Sequence, residues 1–186
     1  MSEAPAAVEQ ALRERYGHEP DRASVSFVGV QPLEVLRFVP APDRVAYVTF
    51  GMSAAPMTPS TDTVVNDSGP RAELLLLLRI GGFEDIWRSM ALLAAAPAVE
   101  GVVYGVGMTV DVGSPLEPGS SCTGFVVAEP ELVVEGPEVI DVLRVIPATH
   151  SELAWARVRG AEALRELWAR HDTDLLDLGR EAVALG

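Results

Sequence analysis

The stretch RAELLLLLR, residues 71–79, decides the fold because it places five consecutive leucines between two arginines. A strand with one face in water alternates apolar and polar residues, whereas a continuous apolar run fits a strand that is covered on both faces. We therefore predict that residues 71–79 form a central strand of a sheet, with other elements packed above and below it.

Further strand-like segments lie on both sides of this stretch along the chain. Each is rich in the β-branched and aromatic residues that favour extended backbone. We predict strands over residues 24–30, 33–39, 44–50, 101–112, 122–130 and 138–146. The segment 53–70 contains three prolines and a cluster of Ser, Thr, Asn and Asp, so we expect an irregular loop there.

Helical segments surround and interrupt the strands. We predict helices over residues 3–16, 83–96, 151–170 and 174–183. Pro97 is expected to end the second helix, because proline disrupts a helix interior. Thr149 and Glu152 match a capping box at the start of the third helix, which Gly160 is expected to divide.

The order of these elements indicates the fold class. Strands come in runs, with helices before, between and after them, rather than in strict alternation with helices. We therefore predict an α+β fold, a mixed and largely antiparallel sheet flanked by the 83–96 and 151–170 helices. The length fits one domain over 1–186, in which 1–20 is an N-terminal helix and linker and 53–70 is the irregular loop.

The charge of the chain excludes one class of partner. The formal net charge is −13, and all 14 basic residues are arginines. An acidic chain without a basic stripe repels phosphate backbones, so we expect no nucleic-acid binding. Residues 1–10 lack the basic start and apolar run of a signal peptide, and the one cysteine, Cys122, suits a reducing compartment. We expect a cytoplasmic protein with no membrane span.

Two side chains are candidate nucleophiles. Ser53 lies in GMSAA (51–55), which lacks the second glycine of the G-x-S-x-G nucleophile elbow and precedes a proline-rich segment. Cys122 needs a neighbouring base to lower its pKa, and none of the three histidines stands at a diagnostic spacing. We predict no catalytic activity, with a hydrolase using Ser53 or Cys122 as the alternative.

No motif predicts a cofactor or a metal. The three histidines are scattered, and a single cysteine cannot supply a paired-cysteine zinc site. Gly105 and Gly107 begin a G-x-G pattern, but position 110 is Val and a strand follows, so the dinucleotide fingerprint is incomplete.

Four acids are candidate partner-binding residues. Asp62 and Asp67 lie in the irregular loop, Glu117 lies in the turn-rich segment 113–121, and Asp111 stands just before that segment. Long irregular segments often carry binding residues, and no basic partner for these acids is evident in their neighbourhood. We predict that they present an acidic patch to a basic protein surface.

Several motifs in order resemble the suppressor-of-fused domain. They are VAYVTFGMSAAPM (45–57), RAELLLLL (71–78), a Trp-bearing helix, FVVAEPE (125–131) and VIDVLRVIPATHSEL (139–153). The matching positions are Gly51, Met52, Ser53, Pro56, Met57, Arg71, Glu73, Leu74, Glu152 and Leu153. The resemblance implies that Gly51-Met52-Ser53 is a structural strand end that begins a variable loop.

The resemblance implies a non-enzymatic protein-binding domain of the single-domain bacterial type. Animal members hold a zinc-finger transcription factor between two domains, so that role is not expected of one domain. Stand-alone bacterial members imply another role, that of an immunity protein that neutralises a polymorphic toxin. We therefore predict sequestration of an unidentified protein partner, with a basic toxin domain as the leading candidate and a structural subunit without regulatory role as a further alternative.

Overall fold

Seven strands and four α-helices form the regular structure of residues 4–27, 30–62, 67–81 and 85–185, the part of the chain that the computed structural model describes. The helices are α1 (Ala4–Tyr16), α2 (Ile86–Glu100), α3 (His150–Arg159) and α4 (Ala161–Arg170). The strands are β1 (Asp21–Val25), β2 (Leu33–Ala41), β3 (Arg44–Phe50), β4 (Arg71–Arg79), β5 (Thr109–Asp111), β6 (Cys122–Val134) and β7 (Ile140–Thr149). A 3₁₀ turn, Met52–Ala54, follows β3.

The strands form one sheet in the order β1-β2-β3-β4-β7-β6-β5. Strands β4 and β7 run parallel, with Leu74 opposite Leu143 and Leu76 opposite Val145, and every other neighbouring pair is antiparallel. The RAELLLLLR stretch is therefore the middle strand of the sheet, as its continuous apolar run predicts. The predicted α+β class, with a mixed and largely antiparallel sheet, is confirmed.

Helices cover both faces of the sheet. Along β7, Leu143 and Val145 pack in the cluster that contains α2, whereas the alternating Val142 and Ile146 point to the other face. Val142 packs in the cluster of α1, and Ile146 packs in the cluster of α3 and α4. The predicted flanking by α2 and by the helices after β7 is confirmed, and α1 shares a face with α3 and α4.

The first strand begins and ends earlier than predicted. The prediction was 24–30, and β1 is Asp21–Val25; positions 28 and 29 lie outside the described residues. Asp21 opposes Arg37 of β2, and their side chains form an ion pair at 2.9 Å. Cross-strand charge pairs of this kind stabilise polar residues within a strand. The strand therefore includes residues whose composition does not predict one.

The strand predicted over 101–112 is regular only at its end, in β5. Gly107 has φ +88°, and the N–H of Met108 donates to the carbonyl of Gly105 at 3.1 Å. A glycine can adopt this left-handed angle and so turn the chain where apolar content alone predicts a strand. The prediction is therefore wrong before Thr109.

Helix α2 continues through Pro97 to Glu100, which corrects the expectation that Pro97 ends it; its predicted start, positions 83 and 84, lies outside the described residues. Proline has no N–H, so the carbonyl of Leu93 loses its helical partner. The hydroxyl of Tyr104 donates to that carbonyl instead, at 2.7 Å. Burial raises the pKa of the Tyr104 hydroxyl, which keeps it a donor at neutral pH.

The helix after β7 begins and divides as predicted. Thr149 Oγ1 accepts from the N–H of Glu152 at 3.3 Å, and the Glu152 carboxylate accepts from the N–H of Thr149 at 2.9 Å. These two bonds are the reciprocal pair of a capping box. Gly160 separates α3 from α4.

The chain after α4 is irregular, which corrects the helix predicted over 174–183. The side chain of Asp174 accepts from the N–H of Leu176, and that of Asp177 accepts from the N–H of Gly179. Such Asx turns give the backbone an alternative to helical hydrogen bonds. The segment instead packs against α3 and α4.

We expect Gly101→Ala to destabilise the protein more than Gly17→Ala. Both glycines follow a helix with left-handed φ, +68° and +75°, which costs a residue with a Cβ about 1–2 kcal/mol. A Cβ at Gly17 meets open space, whereas one at Gly101 would lie 2.7 Å from the Cα of Ser60. Urea unfolding should show a loss of about 1–2 kcal/mol for Gly17→Ala and a larger loss for Gly101→Ala. Equal losses would show that the segment around Ser60 does not rest on the end of α2.

Candidate functional site

A buried carboxylate organises the turn that follows β3. Glu73 in β4 is fully buried and accepts four hydrogen bonds. Its Oε1 accepts from the N–H of Gly51 (2.9 Å), the N–H of Ser53 (2.9 Å) and the Ser53 hydroxyl (2.7 Å). Its Oε2 accepts from the Thr49 hydroxyl at 2.6 Å. One side chain of the middle strand thus joins the end of β3 to the turn beyond it.

The backbone of the turn directs its N–H groups at Glu73. Gly51 has φ +105°, a left-handed angle that residues with a Cβ adopt only with strain. The 3₁₀ turn that follows brings the N–H of Ser53 to the same carboxylate oxygen. Met52, between them, is buried in the cluster that contains α2. The Gly-Met-Ser stretch is therefore a strand end followed by a tight turn.

Arg71 fixes the same turn through a carbonyl. Its Nη1 donates to the carbonyl oxygen of Ser53 at 3.0 Å, and its Nη2 lies 2.7 Å from the Glu138 carboxylate. The Arg71 side chain is only 9% exposed, so these contacts are largely shielded from water. Strand β4 therefore binds the turn through two side chains. Glu73 accepts from donors of the turn, and Arg71 donates to a carbonyl oxygen of the turn.

The pKa of the Glu73 carboxyl lies near neutral pH. Burial raises the pKa of Glu73 to about 7, although four hydrogen bonds favour the ionised form. All four donors are neutral groups, and they do not offset the loss of hydration.

The two candidate nucleophiles are both fully buried. The hydroxyl of Ser53 donates to Glu73, and burial raises the pKa of the Cys122 thiol to about 11. A protonated thiol is a weak nucleophile, and neither side chain reaches solvent. The geometry therefore gives no support to the hydrolase alternative.

Glu152, at the start of α3, is a second buried carboxylate. Arg180 donates to both of its oxygens, at 2.8 Å each. Its Oε1 also accepts from Trp168 Nε1 (3.0 Å) and from the N–H of Val183 (2.9 Å). Burial opposes ionisation, but the hydrogen bonds from Arg180, Val183, Thr149 and Trp168 hold the pKa of Glu152 below its ordinary value. These bonds join the end of β7, α3, α4 and the C-terminal segment.

The acids predicted to form a docking patch lie in different environments. Asp62 and Asp67 are exposed. Asp111 has basic neighbours, contrary to the expectation: its Oδ2 lies 3.1 Å from His150 Nδ1 and 3.6 Å from Arg157 Nη2. The docking role of Asp62, Asp67 and Asp111 stays a prediction.

Glu117 is buried, which corrects the prediction that it belongs to an acidic patch on the surface. Its Oε1 accepts from the N–H of Asp85 at 2.8 Å and from the N–H of Ile86 at 2.6 Å. A carboxylate at this position satisfies N–H groups that have no partner within the helix and interacts favourably with the helix dipole. Glu117 therefore caps α2 from a distant turn and is not part of a surface patch.

The remaining positions that matched the family pattern are packing residues. Met57 and Leu74 are buried in the cluster that contains α2, and Leu153 is buried in the cluster of α3 and α4. Met57 Sδ also accepts from the N–H of Tyr104 at 3.4 Å. Pro56 is half-buried beside them.

Sequence reasoning missed Thr49, Trp168 and Arg180, which complete the two buried carboxylate clusters. A signal for the first was present, because a carboxylate directly before five consecutive leucines of a central strand must find donors when it is buried. That requirement indicates donors on a neighbouring strand, such as the hydroxyl of Thr49. No comparable local signal marked Arg180, which lies 28 residues from Glu152.

The described residues are 4–27, 30–62, 67–81 and 85–185, and their side chains and helices bear on two further kinds of site, a metal site and a membrane span. Within those ranges, no three His, Cys, Asp or Glu side chains come together in a way that could hold a metal ion. The helices of the same ranges include none with the length and apolarity needed to cross a membrane.

A family profile described as Suppressor of fused protein (SUFU) matches residues 29–181. The chain belongs to the suppressor of fused family. The matched range contains the buried carboxylates Glu73, Glu117 and Glu152, and it confirms the resemblance that the sequence motifs indicate. None of the curated protein sequences matches the chain significantly.

Solved structures of suppressor of fused proteins share the fold. The SUFU homolog from Neisseria gonorrhoeae FA 1090 has a TM-score of 0.73 over 98% of this chain and 97% of that chain, at 16% identity. A chain of the Sufu–Fu complex has a TM-score of 0.65 over 91% of this chain and 84% of that chain, at 14% identity. Drosophila Suppressor of Fused also gives 0.65 at 14% identity, over 96% of this chain and 50% of that chain, so this chain spans half of its length.

We expect Glu73 to make the folded protein more stable at acidic than at neutral pH. Its folded pKa of about 7 lies above the ordinary value of 4.5, so between these two values the folded state binds a proton that the unfolded state has lost. This contribution is fully present below pH 4.5 and disappears as the pH rises to about 7, a change of about 3 kcal/mol. Urea unfolding of wild type and Glu73→Gln from pH 5 to 8 should show this slope in wild type alone.

The matched control is Glu166→Gln, which makes the same change at an exposed position of α4. Its unfolding free energy should follow the wild-type pH profile. Parallel profiles for wild type and Glu73→Gln would contradict the assignment.

Proposed function

We propose that this chain is a single-domain, non-catalytic protein that binds and sequesters a partner protein in the cytoplasm. The observation that carries the proposal is the family match over residues 29–181. One similar solved structure is that of the Sufu–Fu complex, a complex between two proteins. An identity of 14% transfers the fold and not the partner, so the partner of this chain is inferred from its own surface and charge.

The environments of the nucleophiles support the non-catalytic part of the proposal. A nucleophile must meet its substrate and be deprotonated by a base or a lowered pKa. Ser53 and Cys122 are fully buried, and the pKa of Cys122 is raised, which is the opposite of activation. The Ser53 hydroxyl donates its proton to Glu73 in one of the hydrogen bonds that fix the turn. Both side chains thus have structural roles that account for their presence.

The charge of the chain supports a basic partner. The net charge of −13 repels nucleic acid and attracts a basic protein surface, which raises the rate of association. Asp62 and Asp67 are exposed acids on one segment and are suited to such steering. Charges of this kind act mainly on the association rate and its salt dependence.

The leading candidate partner is a basic toxin domain, for which this chain would be the immunity protein. Neutralisation requires only that the toxin surface be covered, so it needs no catalytic group on the immunity protein. A structural subunit without a regulatory role is the competing binding hypothesis. The coding context separates the two, because an immunity protein is expected directly beside the gene of a secreted toxin.

We expect a tagged chain purified from its native host to carry one stoichiometric basic protein. Expression of that partner alone should inhibit growth, and co-expression of this chain should relieve the inhibition. The purification should be repeated with an unrelated acidic protein that bears the same tag, since non-specific charge attraction would recover the same proteins with both. Recovery of a partner without toxicity would favour a structural subunit.

The hydrolase alternative has its own readout in the same preparation. Fluorophosphonate and iodoacetamide should leave the native chain unlabelled, whereas iodoacetamide should label Cys122 once urea unfolds it, which verifies the reagent. Stoichiometric native labelling that Ser53→Ala or Cys122→Ala abolishes would contradict the proposal.

A further inference from the structure

Helix α2 has apolar side chains on the face that it turns to solvent. A helix that packs one face on a sheet usually carries charged residues on its outer face, but Arg88 and Glu100 are the only charged residues of α2. Leu92 and Val99 stand seven residues apart, and so on one face, and are 44% and 61% exposed. The second half of α2 therefore presents an apolar surface.

A groove adjoins this surface. The second half of α2, the start of β2 and the segment 51–62 form its walls, and its volume is about 540 Å³. The apolar part of its lining includes Leu33, Met52, Pro56, Ala94, Pro97 and Ala98. The close contact between Gly101 and Ser60 holds the segment 51–62 against the end of α2. A volume of this size lies within the range of about 300–1,000 Å³ that is usual for binding pockets.

Two carboxylates on the groove have no charge partner in the described residues. Asp62 and Glu100 both line the groove and are exposed, and no Arg or His of the described ranges lies within 4.0 Å of either. Most exposed arginines of the chain are instead paired with other acids, such as Arg79 with Asp174. The groove thus combines an apolar lining with negative charge at its edge.

We propose that this groove binds a short segment of the partner protein in which an aliphatic or aromatic side chain is flanked by Arg or Lys. The apolar side chain enters the groove, and the cations pair with Asp62 and Glu100. The inference rests on the proposed function and gives it a docking site and a partner chemistry. A neutral small molecule would leave both carboxylates unpaired, and a phosphate-bearing ligand would be repelled by them.

The test uses a phage-displayed library of random dodecapeptides selected on the immobilised full chain. Enriched peptides should place Arg or Lys beside Leu, Ile, Phe or Trp, and should bind the chain more weakly as salt is raised. The double variant Asp62→Arg/Glu100→Arg should lose about tenfold or more in affinity at low salt, and Ala98→Trp should block the groove without altering charge. Thermal melting of each variant checks that it is folded.

Matched controls carry the same changes on α4. Glu166→Arg repeats the charge reversal and Ala169→Trp repeats the size change at exposed positions. Both should leave peptide affinity within about twofold of wild type. No enrichment, or enriched peptides that bind the folded double variant and Ala98→Trp with wild-type affinity, would overturn the proposal.

The native partner distinguishes failure of this proposal from failure of the proposed function. If that partner binds Asp62→Arg/Glu100→Arg and Ala98→Trp with unchanged affinity, the docking site is wrong and the binding function stands. If no partner is recovered and the library yields no ligand, both fail.

Discussion

The Glu73 carboxylate lies directly before the five leucines of β4, and because it is buried it needs hydrogen-bond donors. That need constrains the end of β3 and the turn that follows it. Four donors reach it, two from backbone N–H groups and two from hydroxyls. Gly51 suits this position because its N–H donates to Glu73 at a left-handed φ of +105°, which strains a residue with a Cβ. The turn built in this way starts the segment 51–62, which forms one wall of the groove beside α2. A buried polar group of the sheet thus shapes the surface proposed to bind the partner.

The buried carboxylates of Glu73 and Glu152 differ in the charge of the groups that donate to them. Glu73 is held by neutral donors, and its pKa rises to about 7, whereas Glu152 is paired with Arg180 and its pKa falls below the ordinary value. Glu152 is therefore charged throughout the physiological range, and it fixes the C-terminal segment to α3 and α4. Glu73 has a pKa near neutrality, because its neutral donors do not offset the loss of hydration. A glutamate side chain thus stays ionised at one site, and at the other it titrates near neutral pH.

Local signals predicted much of the fold, and two of the errors arise from contacts that the sequence does not indicate. The five leucines of β4 and the capping box at Thr149 are local, and both predictions are confirmed. Pro97 fails to end α2 because a tyrosine hydroxyl, seven residues later, replaces the missing N–H. Glu117 lies in a turn-rich segment, where acids are mostly exposed, but the fold brings it to the start of α2. Only the three-dimensional arrangement reveals such partners.

The candidate site was predictable to a similar extent. The resemblance to the family predicted that the Gly-Met-Ser stretch is a strand end that begins a loop, and the structure places a tight turn there. Its hydrogen bonds to Glu73 span about 20 residues, and the groove depends on a contact between Ser60 and Gly101 that no spacing in the sequence indicates. No Arg or His of the described ranges pairs with Asp62 or Glu100, and this likewise follows from where the arginines fold.

The most direct test of the central role of Glu73 is a carbon-13 NMR titration of its side-chain carboxyl, with the amide signals of Gly51 and Ser53 followed in the same samples. We predict a midpoint of about 7 for the carboxyl, and the two amide signals should shift with that same midpoint because their N–H groups donate to it. A midpoint near the ordinary glutamate value of about 4.3, or amide signals that do not follow the carboxyl, would contradict the account.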